Sequence, residues 1–307
     1  MIPSTAKTPT KHAEFDKDLL LRIENMIRSF QKIVKDAEGQ ENEEALVYGL
    51  RAIVYLASMI LHKRDIFDIE PWHVISAHAP LACPGEMLLR LKDYKGRPMP
   101  PYPAIMAFYN HGYTAEIDCI LFLAALDQFI RNDEKQVSIN ISARSLRDPD
   151  FVKTTLERLE HTPLAPDEKI IIEIHESTPH LSLSKKVLAL YKNLGISFAI
   201  DDVGLNMNDV MRLAEFEGLA EFVKIDRHVI CSPKEQDPSP LQRVTSLVST
   251  LMPGAVMIAE GIQNTQHALE IKQQHPSILY AQGLYLPKDR KTFALDFHNL
   301  GINKQAD

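Results

Sequence analysis

An α/β fold is what this sequence predicts: a (β/α)8 TIM-type barrel with its first strand antiparallel, preceded by an N-terminal helical segment. Three observations carry it. From about Trp72 onward, short β-branched runs alternate with helix-length segments of mixed polarity, the rhythm of a parallel sheet covered by helices. Eight such runs fit into about 235 residues, the size of one barrel. The first two runs are joined only around Cys83-Pro84-Gly85, too short for a helix, so a hairpin is expected and the first strand runs against the second.

Phe15 to Ala37 spaces Leu19, Ile23, Met26, Phe30 and Ile33 three or four residues apart, a helical stripe, and Glu43 to His62 is a second, more apolar helix. Two amphipathic helices cannot make a core alone. Residues 1–68 therefore read as a helical segment for packing, dimerisation or regulation, and residues 69–307 as the barrel domain. Strands are expected at His73–Leu81, Glu86–Leu91, Val137–Ile141, Lys169–His175, Ser197–Asp201, Phe222–Asp226, Ala255–Ala259 and Leu279–Leu286. Helices are expected at Thr114–Arg131, Asp148–Leu159, Ser182–Asn193, Met207–Glu217, Pro240–Leu251 and Thr265–Gln274. The proline-rich stretch Arg97–Pro103 reads as an ordered loop.

At 307 residues and 45 % apolar, the chain is long enough for one large domain with an appendage. A net charge of −7 and a pI near 6.0 argue against duplex nucleic acid, which usually needs a basic face. They leave an anionic small molecule open, because a bound metal reverses local charge. The three cysteines, Cys83, Cys119 and Cys231, form no C-x-x-C pair, so a reduced, cytoplasmic compartment is expected. The opening MIPSTAKTPTKHAEF lacks the apolar core of a signal peptide. The most apolar stretch, Leu46–Leu61, is about 16 residues long and carries Arg51, below the roughly 20 residues of a membrane span. A soluble protein without a membrane span is expected.

A buried barrel strand should be apolar, so its polar interruptions carry information. They fall late in the runs: Asn140, Glu173 and Glu176, Asp201 and Asp202, Lys224, Glu260 and Gln282. The carboxyl ends of parallel barrel strands form one rim, where active sites lie. Taken singly, Glu176 or Asp226 reads as a solvated rim residue. Together the acids are harder to dismiss: two carboxylates about 4 Å apart repel by roughly 4 kcal/mol at an effective dielectric near 20. A cation among them relieves this, and all-oxygen ligands suit Mg²⁺ or Mn²⁺. The twelve histidines contain no H-x-x-x-H pair, which argues against zinc. Two such ions with a nearby lysine suit in-line attack of water on a phosphate. Asp201 and Asp202 would then each reach one ion of a pair.

The ordered set Asn140-x-Ser142, Glu173-x-x-Glu176-Ser177, Asp201-Asp202-x-Gly204, Lys224-Ile225-Asp226-Arg227, Ala259-Glu260-Gly261 and Gln282-Gly283 resembles the EAL-domain family, over roughly residues 72–290. That family is named for a Glu-Ala-Leu motif and hydrolyses cyclic di-GMP to linear pGpG. Glu44-Ala45-Leu46 spells the motif but precedes every barrel strand, and reads as coincidence; the equivalent is Glu86-Met87-Leu88-Leu89-Arg90. The resemblance implies that Glu86, Asn140, Glu173 and Asp201 ligate one Mg²⁺ or Mn²⁺, that Asp202 holds a second, and that Glu260 joins the cluster. It implies catalytic roles for Lys224 at the attacking water, for Glu260, and for Glu176, which steadies the loop after Asp202. Leu88, Arg90 and Gln282 would bind substrate, Arg90 through a phosphate.

It also implies a homodimer; separately, the apolar stripes of the N-terminal helices offer a surface for dimerisation or for a regulatory protein partner. Val203 stands where the family has Phe, Asn206 where it has a second Gly, and Gln263 where it has Glu. A phosphodiesterase is therefore the leading expectation, and a catalytically weak or inactive cyclic di-GMP receptor or protein-interaction module is the alternative.

Overall fold

The branched runs form a sheet whose two ends meet. The computed structural model describes residues 9–79, 84–174, 183–232 and 239–303. Its strands are β1 (Phe67–Pro71), β2 (His73–Val74), β3 (Gly85–Leu89), β4 (Leu91–Lys92), β5 (Pro98–Met99), β6 (Gln136–Ile141), β7 (Lys169–Ile174), β8 (Ile196–Val203), β9 (Phe222–Ile225), β10 (Val256–Ala259) and β11 (Ile278–Ala281). The main sheet runs β1-β3-β6-β7-β8-β9-β10-β11-β2, with β4 and β5 a separate ribbon. Trp72 alone separates β1 from β2. One stretch of chain thus pairs with β3 on one side and β11 on the other, and closes the sheet into a barrel.

Neighbours from β3 through β11 are parallel, and β2 is antiparallel to β11. Trp72 N donates to Pro84 O at 3.0 Å and Arg90 N to Ile66 O at 2.8 Å, the crossed order of an antiparallel pair, so β1 also runs against β3. The first strand thus begins earlier than expected. Of His73–Leu81 only His73–Val74 is strand, Ile75–Ala79 is irregular, and residues 80–83 lie outside the described residues. The acids Asp68 and Glu70 alternate with Phe67 and Ile69, a strand pattern hidden by its closeness to the preceding helix.

Two compact units divide the chain. One runs through Asp68 and includes Leu89–Asn132 and Ser145–Pro163. It holds α1 (Pro9–Asp36), α2 (Glu43–Leu61), α3 (Pro101–Asn110), α4 (Thr114–Arg131) and α5 (Pro149–Glu160). Within it, α1 packs on α2 and α4, α2 on α3, and α4 on α5. Leu19, Ile23, Met26 and Phe30 of the predicted stripe are buried, and Phe30 meets Phe108 edge-on with ring centres 4.7 Å apart. By length and composition α2 is apolar enough to cross a membrane; its face with Leu46, Gly49, Ala52, Ile53 and Leu56 is buried inside this unit. The prolines of Arg97–Pro103 do not form the expected loop. Pro98 lies in β5 and Pro101 opens α3, where its missing N–H costs no helical hydrogen bond.

The second unit comprises Ile69–Leu88, Asp133–Arg144 and the chain from Leu164 onward. It holds the closed sheet with α6 (Lys185–Asn193), α7 (Met207–Glu215), α8 (Arg227–Ile230), α9 (Pro240–Leu251), α10 (Thr265–Gln274) and α11 (Arg290–Asn303). Trp72, Ile171, Ala199, Phe222, Ile258 and Tyr280 form its buried apolar centre. Beyond β10 and β11 the ladder continues: Gln282 N donates to Ala259 O at 2.8 Å and Ile262 N to Gln282 O at 3.0 Å. The crossing is tight enough to require glycine, because a Cβ on Gly283 would stand 2.0 Å from Ile262 O. Gly283→Ala is expected to cost about 3 kcal/mol, read as a lowered urea midpoint; an unchanged midpoint would show that the two segments part freely.

Candidate active site

Each inward strand carries an apolar residue and then, two places on, a polar one. Glu173 follows Ile171, Asp201 follows Ala199, Lys224 follows Phe222, Glu260 follows Ile258 and Gln282 follows Tyr280. Residues i and i+2 of a strand share a face. The apolar floor of the barrel is therefore overlaid, toward the carboxyl ends, by a polar layer. Register adds two neighbours: Asn140 lies beside Glu173 on β6, and Glu86 on β3 lies beside Ser138.

Lys224 stands at the centre, with side-chain exposure of 2 %. Its Nζ lies 2.5 Å from Glu173 Oε2, 2.8 Å from Glu260 Oε1, 3.1 Å from Asp201 Oδ1 and 3.2 Å from Glu86 Oε2. Glu86 also accepts from Asn140 Nδ2 and from Gln282 Nε2, each at 2.6 Å, and Glu173 accepts from Ser138 Oγ. Sequence reasoning passed over Ser138, although its place two residues before Asn140 marks it as inward-facing.

Four carboxylates surround one ammonium, so the negative charge is not balanced. Burial above all, then the nearby Glu86, raises the Glu173 pKa well above the carboxylate range against the pull of Lys224. Burial likewise pushes Glu260 up to about 8, again opposed by Lys224. For Lys224 burial acts downward, but Asp201, Glu173, Glu86 and Glu260 outweigh it and hold the ammonium well above the usual lysine range. Two amide oxygens add to the demand for positive charge: Asn140 Oδ1 and Gln282 Oε1 are buried without a hydrogen-bond partner. Each such orphan costs about 1–3 kcal/mol. A hard cation satisfies orphaned carbonyl oxygens and surplus carboxylates alike.

Strict alternation would send Asp201 and Asp202 to opposite faces. The chain avoids this with a β-bulge. Ile200 pairs with Val223 and Val203 with Ile225, so β8 carries one residue more than β9 between these points. Asp202 takes up the difference at φ 53, a left-handed conformation that costs a non-glycine residue about 1–3 kcal/mol. As a result Asp201, Asp202 and Glu260 each present an oxygen within 4.8 Å of the other two, a group able to hold a metal ion. Val203 is fully buried. Asn206, at φ −86 and ψ 162, lies outside the left-handed region and caps α7, its side chain accepting from Asp209 N.

Leu88 is half-buried and shares a face of β3 with Glu86. Arg90, just after β3, is paired with Asp68 at 2.9 Å. Asp226 caps α8, accepting from His228 N. Glu176 lies outside the described residues.

The chain is a closed α/β barrel that gathers acids around one buried lysine, with a group of them able to hold a metal ion. More narrowly, the chain belongs to the EAL domain family, whose model matches residues 72–288. It is 27 % identical over 223 residues to the signaling protein YkoW of Bacillus subtilis, covering 70 % of this chain and 26 % of that one. It is 29 % identical over 171 residues to the cyclic di-GMP phosphodiesterase PdeA of Borreliella burgdorferi, covering 54 % of this chain and 25 % of the other. The matches thus span about a quarter of each relative's length. Among solved structures, the FimX EAL domain of Pseudomonas aeruginosa, bound to c-di-GMP, superposes with a TM-score of 0.63 at 21 % identity, covering 78 % of this chain and 98 % of that chain.

Proposed function

We propose that this chain is a metal-dependent phosphodiesterase that hydrolyses cyclic di-GMP to linear pGpG. The observation that carries the reading is the polar layer: Glu86, Glu173, Asp201 and Glu260 around Lys224, with Asn140 Oδ1 and Gln282 Oε1 lacking partners. Family membership and the relative named as a cyclic di-GMP phosphodiesterase support it.

Glu86, Asn140, Glu173 and Asp201 would hold one Mg²⁺ or Mn²⁺, and Asp202, with Asp201 and Glu260, a second. Bound there, the ions supply Lewis acidity toward the phosphate and lower the pKa of the attacking water. The chain's own groups do the rest. Lys224, held among its acids, would orient the attacking water by donating a hydrogen bond to its oxygen, while the proton that water loses would pass to a neighbouring carboxylate such as Glu260. Gln282, fixed by Glu86, aims its amide at the same centre. Leu88 and Arg90 are assigned to the substrate, Arg90 exchanging Asp68 for a phosphate, and Glu176 to steadying the segment after Asp202. A homodimer, a regulatory partner on the N-terminal helices and a cytoplasmic location belong to the same proposal.

The test is a chromatographic assay with cyclic di-GMP and Mn²⁺, run beside Glu86→Ala and Lys224→Ala. Wild type is expected to form pGpG, and each variant to lose about 10²-fold or more. Micromolar binding without product would instead favour the receptor reading, for which the altered residues Val203 and Asn206 speak.

A further inference from the structure

The bulge at Asp202 is held by a pair of residues outside the ligand set. Arg212 Nη2 donates to two carbonyls, Ile174 O at 2.9 Å and Asp201 O at 2.8 Å. Its Nη1 donates to Asp209 Oδ1 at 3.2 Å. Asp209, fully buried, accepts from Gly204 N at 2.8 Å through its other oxygen. Hydrogen bonds therefore grip the backbone on both sides of Asp202, at the carbonyl before it and at the amide two residues after. Ile174 directly follows Glu173, so the same guanidinium ties the end of β7 to the bulge of β8.

We infer that the Asp209–Arg212 pair is a positioning device for cation binding, fixing the Asp202 carboxylate beside Asp201 and Glu260 and setting it relative to Glu173. The inference rests on the reading that cations occupy this layer. Both reach the backbone that carries Asp201 and Asp202. Aspartate tolerates the left-handed region better than most residues, yet that conformation still lies above extended backbone in energy, so loss of the flanking hydrogen bonds lets it relax. The guanidinium divides these contacts between two nitrogens, Nη2 on both carbonyls and Nη1 on the carboxylate, a spread that the single nitrogen of a lysine at position 212 does not reproduce.

Counting bound Mn²⁺ by electron paramagnetic resonance of the free ion tests this without reference to turnover. Wild type is expected to bind two ions. Arg212→Lys and Asp209→Asn are expected to weaken one of the two sites by about tenfold or more and to leave the other unchanged. Leu213→Ala is the control: it trims a buried side chain of the same helix, so Tm falls while both sites remain. Two sites of wild-type affinity in Arg212→Lys would overturn the inference and leave the proposed function standing. Loss of the same site in Leu213→Ala would also overturn it, reducing the pair to ordinary support of α7. A wild-type chain that binds fewer than two Mn²⁺ would overturn the two-cation reading itself.

Discussion

Lys224→Met is expected to cost about 3–5 kcal/mol of stability in the presence of a chelator, the usual effect of removing one member of a buried ion pair. The variant keeps an unbranched side chain of similar length, so little of the loss comes from packing. What remains is electrostatic: Glu86, Glu173, Asp201 and Glu260 lose the ammonium that lies within 3.2 Å of each of them. Mn²⁺ is then expected to stabilise the variant more than wild type, because the incoming cation meets the same acids without a resident competitor. Urea unfolding with and without Mn²⁺ reads both effects. Equal losses in the two conditions would show that the ammonium matters only as filler, and that cation and lysine do not share these carboxylates.

Trp72→Ala is expected to cost about 3–5 kcal/mol. The indole has no exposed surface and lies where β1 gives way to β2. Its ring centre is 5.6 Å from that of Phe222 and 6.4 Å from that of Tyr280. Removing it opens a cavity under the polar layer, at the one place where the two ends of the sheet are joined. Circular dichroism across a urea titration measures the loss; the sole tryptophan serves as the fluorescence probe for wild type alone. A loss below about 1 kcal/mol would mean that the floor collapses to fill the gap, and that closure does not depend on this side chain.

Much of this was legible in the chain. The helices Thr114–Arg131, Pro240–Leu251 and Thr265–Gln274 fall where their apolar spacing places them. The polar interruptions at Asn140, Glu173, Asp201, Lys224, Glu260 and Gln282 stand out because a buried strand tolerates few such residues. Other features left no such mark. Glu86 was singled out by the family resemblance; it sits early in β3, where no rule about strand ends points to it. The positive φ of Asp202 belongs to the register of β8 against β9, which only pairing decides. Asp209 and Arg212 read as polar residues of an ordinary amphipathic helix, and their partners are backbone groups that carry no identity in a sequence. The β1 strand was overlooked because its alternating acids merge with the end of the helical segment.

The closure of the sheet through β1 and β2 also bears on how the site comes into being. Glu86 and Gln282 share a hydrogen bond across 196 residues of sequence, and the intervening ligands come from four further strands. Contacts of such separation form late, since the entropy of closing long loops is paid before they contribute. Glu86, Asn140, Glu173 and Asp201 lie on four adjacent strands, whereas the Glu86–Gln282 contact waits for the sheet to close. During synthesis the complete polar layer, with Gln282 set against Glu86, appears only after β11 has emerged and met β2.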